Sequence, residues 1–121
     1  MLPGRHRLHR SADFATVVRK GARKGRRTIV VHAHVDSSMI RVGGPRFGLI
    51  VSKAVGDSVT RHRVSRRLRH IAADVVGELA PEFMVVIRAN PASATATHDE
   101  LASDLRSALE AASSRARGTR S

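Results

Sequence analysis

The sequence predicts a single α/β (α+β) sandwich domain: a small central sheet of about four strands with helices packed on it, in the order αβββαβα. Three observations predict it. Apolar residues recur with period two in some segments and period 3.6 in others, and the two kinds intermix along the chain. The chain has 121 residues, the length of one ordinary domain and too short for two. Its residues are 41% hydrophobic but include only three Phe, no Tyr and no Trp, so a modest core is built from Val, Ile, Leu and Ala.

Residues 1–10 read as a basic N-terminal arm, extended and flexible. Ser11 caps a short helix over residues 12–20, with Phe14, Val17 and Val18 on one side, and Gly21 stops it. Residues 21–27 read as a basic loop. Residues 28–35 form a strand in which Ile29, Val31, Ala33 and Val35 alternate with Val30, His32 and His34. A weak strand at 39–42 lies between a turn at 36–38 and another at Gly43-Gly44-Pro45. Residues 46–52 form the next strand, with Phe47, Leu49 and Val51 on one face and Gly48 baring the backbone on the other. Asp57 or Ser58 caps a long helix that runs to about Leu79, and Pro81 ends it. Phe83 to Ala89 is nearly continuously apolar, which predicts a central strand covered on both faces. Thr97 and Glu100 have the spacing of a capping box, which opens a last helix with Leu101, Leu105, Leu109 and Ala112 as its buried stripe. Residues 115–121 read as a flexible basic tail.

The formal net charge is +12, from 22 Lys plus Arg against 10 Asp plus Glu. The cations are segregated: residues 1–70 hold 17 against three acids, whereas residues 71–121 hold five against seven. The first part reads as a surface for a polyanion, most often nucleic acid, and the rest as scaffold. With no Cys, a disulfide framework, a thiolate zinc site and a Cys nucleophile are excluded. No apolar run approaches the ~20 residues of a membrane span. No apolar stretch follows the basic start, so it is not a signal peptide, and the expected compartment is the cytoplasm.

The helix after Asp57 carries the strongest signal. At ~100° per residue, Val64, Leu68, Ile71, Ala72, Val75 and Leu79 share one stripe. Arg63, Arg66, Arg67 and His70 fall opposite, His62 and Arg69 flank them, and Arg61 lies toward the stripe in the first turns. Helix stability alone opposes cations here, because a helix N-terminus carries partial positive charge and like charges three or four apart repel. Those same free N–H groups and clustered guanidiniums suit phosphate.

The stretch Arg46-Phe-Gly48-Leu-Ile-Val51-Ser52-Lys53-Ala54-Val-Gly56-Asp57-Ser-Val59-Thr-Arg61-His62-Arg63-Val-Ser65-Arg66-Arg67-Leu-Arg69 resembles the protein subunit of bacterial ribonuclease P, whose pattern is R-x-G-x-x-V-S-K-K-x-G-x-A-V-x-R-N-R-x-K-R-x-x-R. The likeness extends over about residues 5–112, through Asp13-Phe14 and Gly21 at one end and Arg88 and Pro91 at the other. It implies a subunit that joins a catalytic RNA in removing the 5′ leader of precursor tRNA. It implies an endoribonuclease holoenzyme whose chemistry, with Mg²⁺, belongs to the RNA, the protein alone not being catalytic and binding no metal tightly. The protein would raise substrate and Mg²⁺ affinity. It also implies a left-handed βαβ crossover, against the general handedness rule.

By the resemblance, Arg61, Arg63, Arg66 and Arg69 match the signature arginines and Lys53 the first lysine. With His62 and Arg67 they would contact the catalytic RNA. Phe14, Val18, His32, Arg27 and Arg88 would contact the leader, in a cleft between the first helix and the sheet. His62 stands for the usual Asn, Ser65 for a Lys, Ala54 for the second Lys, and Asp57 where Asn is common. Val18 and His32 stand where aromatics are frequent. No protein partner and no membrane are implied.

The remaining residues suggest no other chemistry. His32 and His34 project from one face at metal-ligand spacing, but the ligand set is incomplete. Asp13, Asp36 and Asp57 are isolated in sequence, so no carboxylate cluster supports an independent nuclease. Charge, size and fold class alone fit a ribosomal or other structured-RNA-binding or assembly protein without a role in cleavage equally well. A sequence-tolerant DNA binder fits them too. Core-like strands at 46–52 and Phe83–Ala89 argue against a membrane-active amphipathic protein.

Overall fold

The computed structural model describes residues 2–35 and 44–118, and shows a four-stranded sheet with one helix on one face and two on the other. Helix α1 (Ser11–Lys20) precedes strands β1 (Ala22–Gly25), β2 (Ile29–Val35) and β3 (Arg46–Ile50); α2 (Ser58–Val75), β4 (Phe83–Ala89) and α3 (His98–Gly118) follow. Across the sheet the order is β1-β2-β4-β3. β2 pairs antiparallel with both β1 and β4, and β3 pairs parallel with β4. Helix α2 is therefore the crossover of a parallel βαβ unit, the unit to which the resemblance assigns its unusual hand.

The described elements also run αβββαβα, but with a different set of strands, because the one ahead of β2 is one the sequence pattern does not announce. β1 occupies part of the predicted basic loop. Its residues, Ala-Arg-Lys-Gly, have no apolar alternation of their own, and pairing with β2 makes them a strand. The weak strand at 39–42 and the turn at 36–38 lie outside the described residues, as does Gly43.

Alternation decides which helix each strand meets. Ile29, Val31 and Ala33 of β2, Phe47 of β3 and Phe83, Val85 and Ile87 of β4 bury one face against α2 and α3. Helix α2 contributes Val64, Leu68, Ile71, Ala72 and Val75, as its periodicity predicts. Leu79 lies beyond it, because the helix tightens into a 3₁₀ turn at Val76–Glu78. Helix α3 contributes Leu101, Leu105, Leu109 and Ala112. Its capping box is complete: Glu100 N–H donates to Thr97 Oγ1 at 3.1 Å and Thr97 N–H to Glu100 Oε1 at 2.8 Å. On the other face Leu8, Val17, Met84 and Val86 form a smaller cluster under α1, with Phe14, Val18 and Ile50 at its margin.

Helix α1 begins at Ser11 itself, with Arg10 at the cap and no side-chain cap bond. Gly21 ends it for a reason of space: a Cβ there would stand 2.4 Å from the Val17 carbonyl oxygen and 2.9 Å from that of Ala33.

Within the two end segments predicted to be flexible, residues 2–10 and 115–118 are described, and both stretches include side chains seated on the fold. Leu2 and Leu8 are buried, residues Gly4–His6 make a 3₁₀ turn, and Leu8 N–H donates to the Phe47 carbonyl at 2.8 Å. Two apolar side chains within the basic arm drive this docking. Helix α3 continues to Gly118, with Ala116 buried and the Arg117 guanidinium 5.3 Å from the Phe83 ring centroid.

Candidate nucleic-acid interface

The basic helix starts at a firm cap. Asp57 accepts the Thr60 N–H at 2.8 Å. Hydrogen bonds from the Thr60 backbone and side chain, helped by the charges of Arg63 and Arg61, hold the Asp57 carboxyl below its ordinary range. Just upstream, Val55 is buried and closes a turn by donating its N–H to the Ser52 carbonyl at 3.0 Å. That turn leaves Lys53 exposed beside the helix start.

With the apolar stripe fixed against the sheet, the arginines have few places to go. His62, Arg63, Arg66 and His70 are exposed; Arg61, Arg67 and Arg69 are half-buried. Arg63, Arg66, Arg67 and His70 line a shallow cavity of about 230 Å³. Two of the four are anchored at its rim. Arg63 Nη2 donates to the Ala94 carbonyl at 3.1 Å and Arg67 Nη1 to the Ala96 carbonyl at 3.2 Å, tying α2 to the segment between β4 and α3. A guanidinium has five N–H donors, so both retain donors for a ligand. Among the described residues none of Arg61, Arg63, Arg66, Arg67 and Arg69 forms an ion pair. The half-buried Arg61 keeps a buried Nε without a partner.

The second surface lies on the α1 face. Gly48 is its floor. A Cβ there would stand 2.4 Å from the Phe14 ring and 3.2 Å from Leu8 Cδ1, so glycine is what lets the ring settle onto the strand. Phe14 and Val18 are half-buried there, beside Val17, Met84 and Val86. His32 points to the same face, is only 5% exposed, and has a buried Nδ1 with no hydrogen-bond partner. Burial, then Arg88, then Arg23 push its pKa below the ordinary 6.5. Arg88 is the exposed member of the otherwise buried β4.

The structure thus brings Phe14, Val18, His32 and Arg88 to one face. It sets Arg27 elsewhere: that side chain pairs with Glu100 of α3 at 2.8 Å, while neighbouring Thr28 donates its N–H to Asp104 at 3.0 Å. The turn between β1 and β2 is fastened toward α3, so Arg27 is not part of the α1 surface. Arg23 is the residue that sequence reading misses. It lies directly across from His32, and the pairing of β1 with β2 that puts it there has no apolar signature.

Among the described residues, no group of three or more His, Cys, Asp or Glu is placed to hold a metal ion. No described helix is long and apolar enough to cross a membrane.

A family model described as Ribonuclease P matches residues 2–113. The chain is 58% identical over 113 residues to the ribonuclease P protein component of Rhodococcus erythropolis, with 90% of each chain covered. It is 47% identical over 113 residues to that of Corynebacterium diphtheriae, covering 91% of this chain and 95% of the other. The fold matches the RNase P protein of Staphylococcus aureus at a TM-score of 0.77 and 22% identity, covering 88% of this chain and 94% of that one. It matches the RNase P protein of Thermotoga maritima in complex with 1-(4-fluorophenyl)-2-thiourea at 0.72 and 18%, covering 84% and 94%.

Proposed function

The chain belongs to the ribonuclease P protein family, and from that premise we propose how its surfaces divide the work. It is a subunit of the ribonuclease P holoenzyme, acts in tRNA processing and works with the ribonuclease P RNA. In our reading Lys53, Arg61, His62, Arg63, Arg66, Arg67 and Arg69 seat the catalytic RNA. Phe14, Val18, His32 and Arg88 hold the 5′ leader of precursor tRNA. Arg27, committed to Glu100, drops out of the leader set.

The observation that carries this reading is the helix α2 surface. Five arginines stand there without an ion pair among the described residues, two of them fixed in place by backbone carbonyls. Guanidiniums on phosphates release condensed counterions, and that gain favours a folded RNA with closely spaced phosphates. The α1 face supports a different ligand: a ring on a flat floor for an unpaired base, with cations at its border for the connecting phosphates.

The protein's own contribution is positional. Holding the leader and the RNA together fixes the scissile bond relative to the RNA's reactive groups, which raises substrate affinity and the apparent affinity for Mg²⁺. Mg²⁺ in this proposal is held by RNA and supplies charge stabilisation at the scissile phosphate. The assembly works in the cytoplasm.

The test is cleavage of a 5′-extended precursor tRNA at low millimolar Mg²⁺ by the protein, a bacterial catalytic RNA, or both. The mixture should cut efficiently at the mature 5′ end, the RNA weakly, and the protein not at all. Binding of the RNA without stimulation of cleavage would favour an assembly or ribosomal role instead.

A further inference from the structure

The α1 face holds a buried, unpartnered ring nitrogen between two exposed cations. The sheet register builds the arrangement. Arg23 of β1 is the direct cross-strand partner of His32. Arg88 of β4 is the partner of Val30, two residues from His32 on the same face. Side chains so related lie about 5 Å apart when directly opposite and about 7–8 Å on the diagonal, within reach of a single phosphodiester for long arginines. Neither guanidinium is in an ion pair among the described residues.

Among the described residues no carboxylate contributes to the electrostatics of His32. Helix α1 turns Phe14, Val17 and Val18 toward the sheet. His34 on the same strand and Arg46 on β3 lie one row further along this face. Burial opposes protonation of the ring most, and the charges of Arg88 and then Arg23 add to it.

We propose that Arg23, His32 and Arg88 form a phosphodiester seat on the α1 face, and that His32 takes up a proton when a leader phosphate occupies it. The inference rests on the leader reading above and deepens it. A phosphate between the two guanidiniums offsets the charge that, after burial, disfavours protonation of the imidazole, and it offers an acceptor for its N–H. The proton comes from bulk solvent, and no covalent bond changes. Leader affinity is then linked to pH, because the complex binds more protons than the free protein.

The experiment uses the holoenzyme and a precursor tRNA with a non-cleavable linkage at the mature 5′ end. Its affinity is divided by that of leaderless tRNA at each pH from 5.5 to 8, which cancels effects arising elsewhere, at His62 and His70 included. The ratio should rise about three- to tenfold toward low pH, because only the complex holds the extra proton. Binding heats in two buffers of different ionisation enthalpy should report proton uptake that requires the leader. His32→Gln should flatten the ratio, and Arg23→Ala should lower it at every pH. A leader ratio above one that ignores pH, or one whose pH dependence survives in His32→Gln, overturns the proton-linked seat and leaves the leader reading intact. A ratio of one at every pH overturns both. Should His32→Gln not fold, leader-dependent proton uptake by the natural chain decides alone.

Discussion

Helix α2 and the α1 face of the sheet present two unlike surfaces for one class of polymer. On α2 the charges are crowded, some exposed and some half-buried, and are without carboxylate partners among the described residues. On the α1 face an aromatic ring, a half-buried valine and a buried histidine make up the floor, with single arginines at the border. The first arrangement recognises many phosphates held at fixed spacing. The second recognises one strand passing over it. The difference teaches that net charge locates RNA binding without saying which RNA sits where; burial and apolar packing do that.

The largest expected effect breaks the α2 side. Arg63→Ala with Arg66→Ala should weaken catalytic-RNA binding by on the order of tenfold per residue at low salt. The salt slope should flatten by about one unit for each phosphate that is no longer neutralised. Titrations at several salt concentrations check it, and an unchanged slope would remove these residues from the interface.

Next comes the floor. Gly48→Ala should cost about 1–3 kcal/mol of stability in denaturant unfolding, since the added methyl meets the Phe14 ring. Combining it with Phe14→Leu should restore stability but not leader affinity. Phe14→Ala alone should leave RNA assembly intact and cost about 1–3 kcal/mol of binding only for substrates with a leader. Equal losses for leaderless tRNA would erase the distinction between the two surfaces.

The smallest effect sharpens the contrast in the free protein. Folding holds His32 neutral, with its pKa below 6.5. The unfolded chain therefore binds the extra proton first as pH falls. The stability that depends on neutral His32 is whole above pH 6.5 and declines from there toward the lower folded value. Urea midpoints at pH 7.5 and pH 5 should differ more for the natural chain than for His32→Gln. The Asp57 carboxyl, lowered from 3.8, titrates in a more acidic window and does not mask the change.

Much of the fold is readable from residues alone, and the boundary is physical. Helices α2 and α3, and strands β2, β3 and β4, bury their own apolar faces, so their periodicity is printed in the chain. Strand β1 buries little and is specified by its neighbour, so Arg23 reads as a loop residue. The N-terminal arm reads as loose because Gly4 and the five Arg and His side chains outweigh Leu2 and Leu8, although those two anchor it. Arg27 reads as a leader-binding residue, and Arg23 does not, for one reason: sequence order cannot tell which side of a turn a cation will be pinned to. The α2 arginines are legible because a helix wheel fixes their direction once the stripe is known.

The docked arm has one more consequence. β3 is an edge strand, and the arm lies along its outer side, where Arg7 bridges Phe47 and Leu8 donates to the Phe47 carbonyl. An uncovered edge is a template for another chain to add a strand. Arg7 and Leu8 thus cover part of that edge, and a chain trimmed past Leu8 should aggregate at concentrations where the full chain stays dispersed.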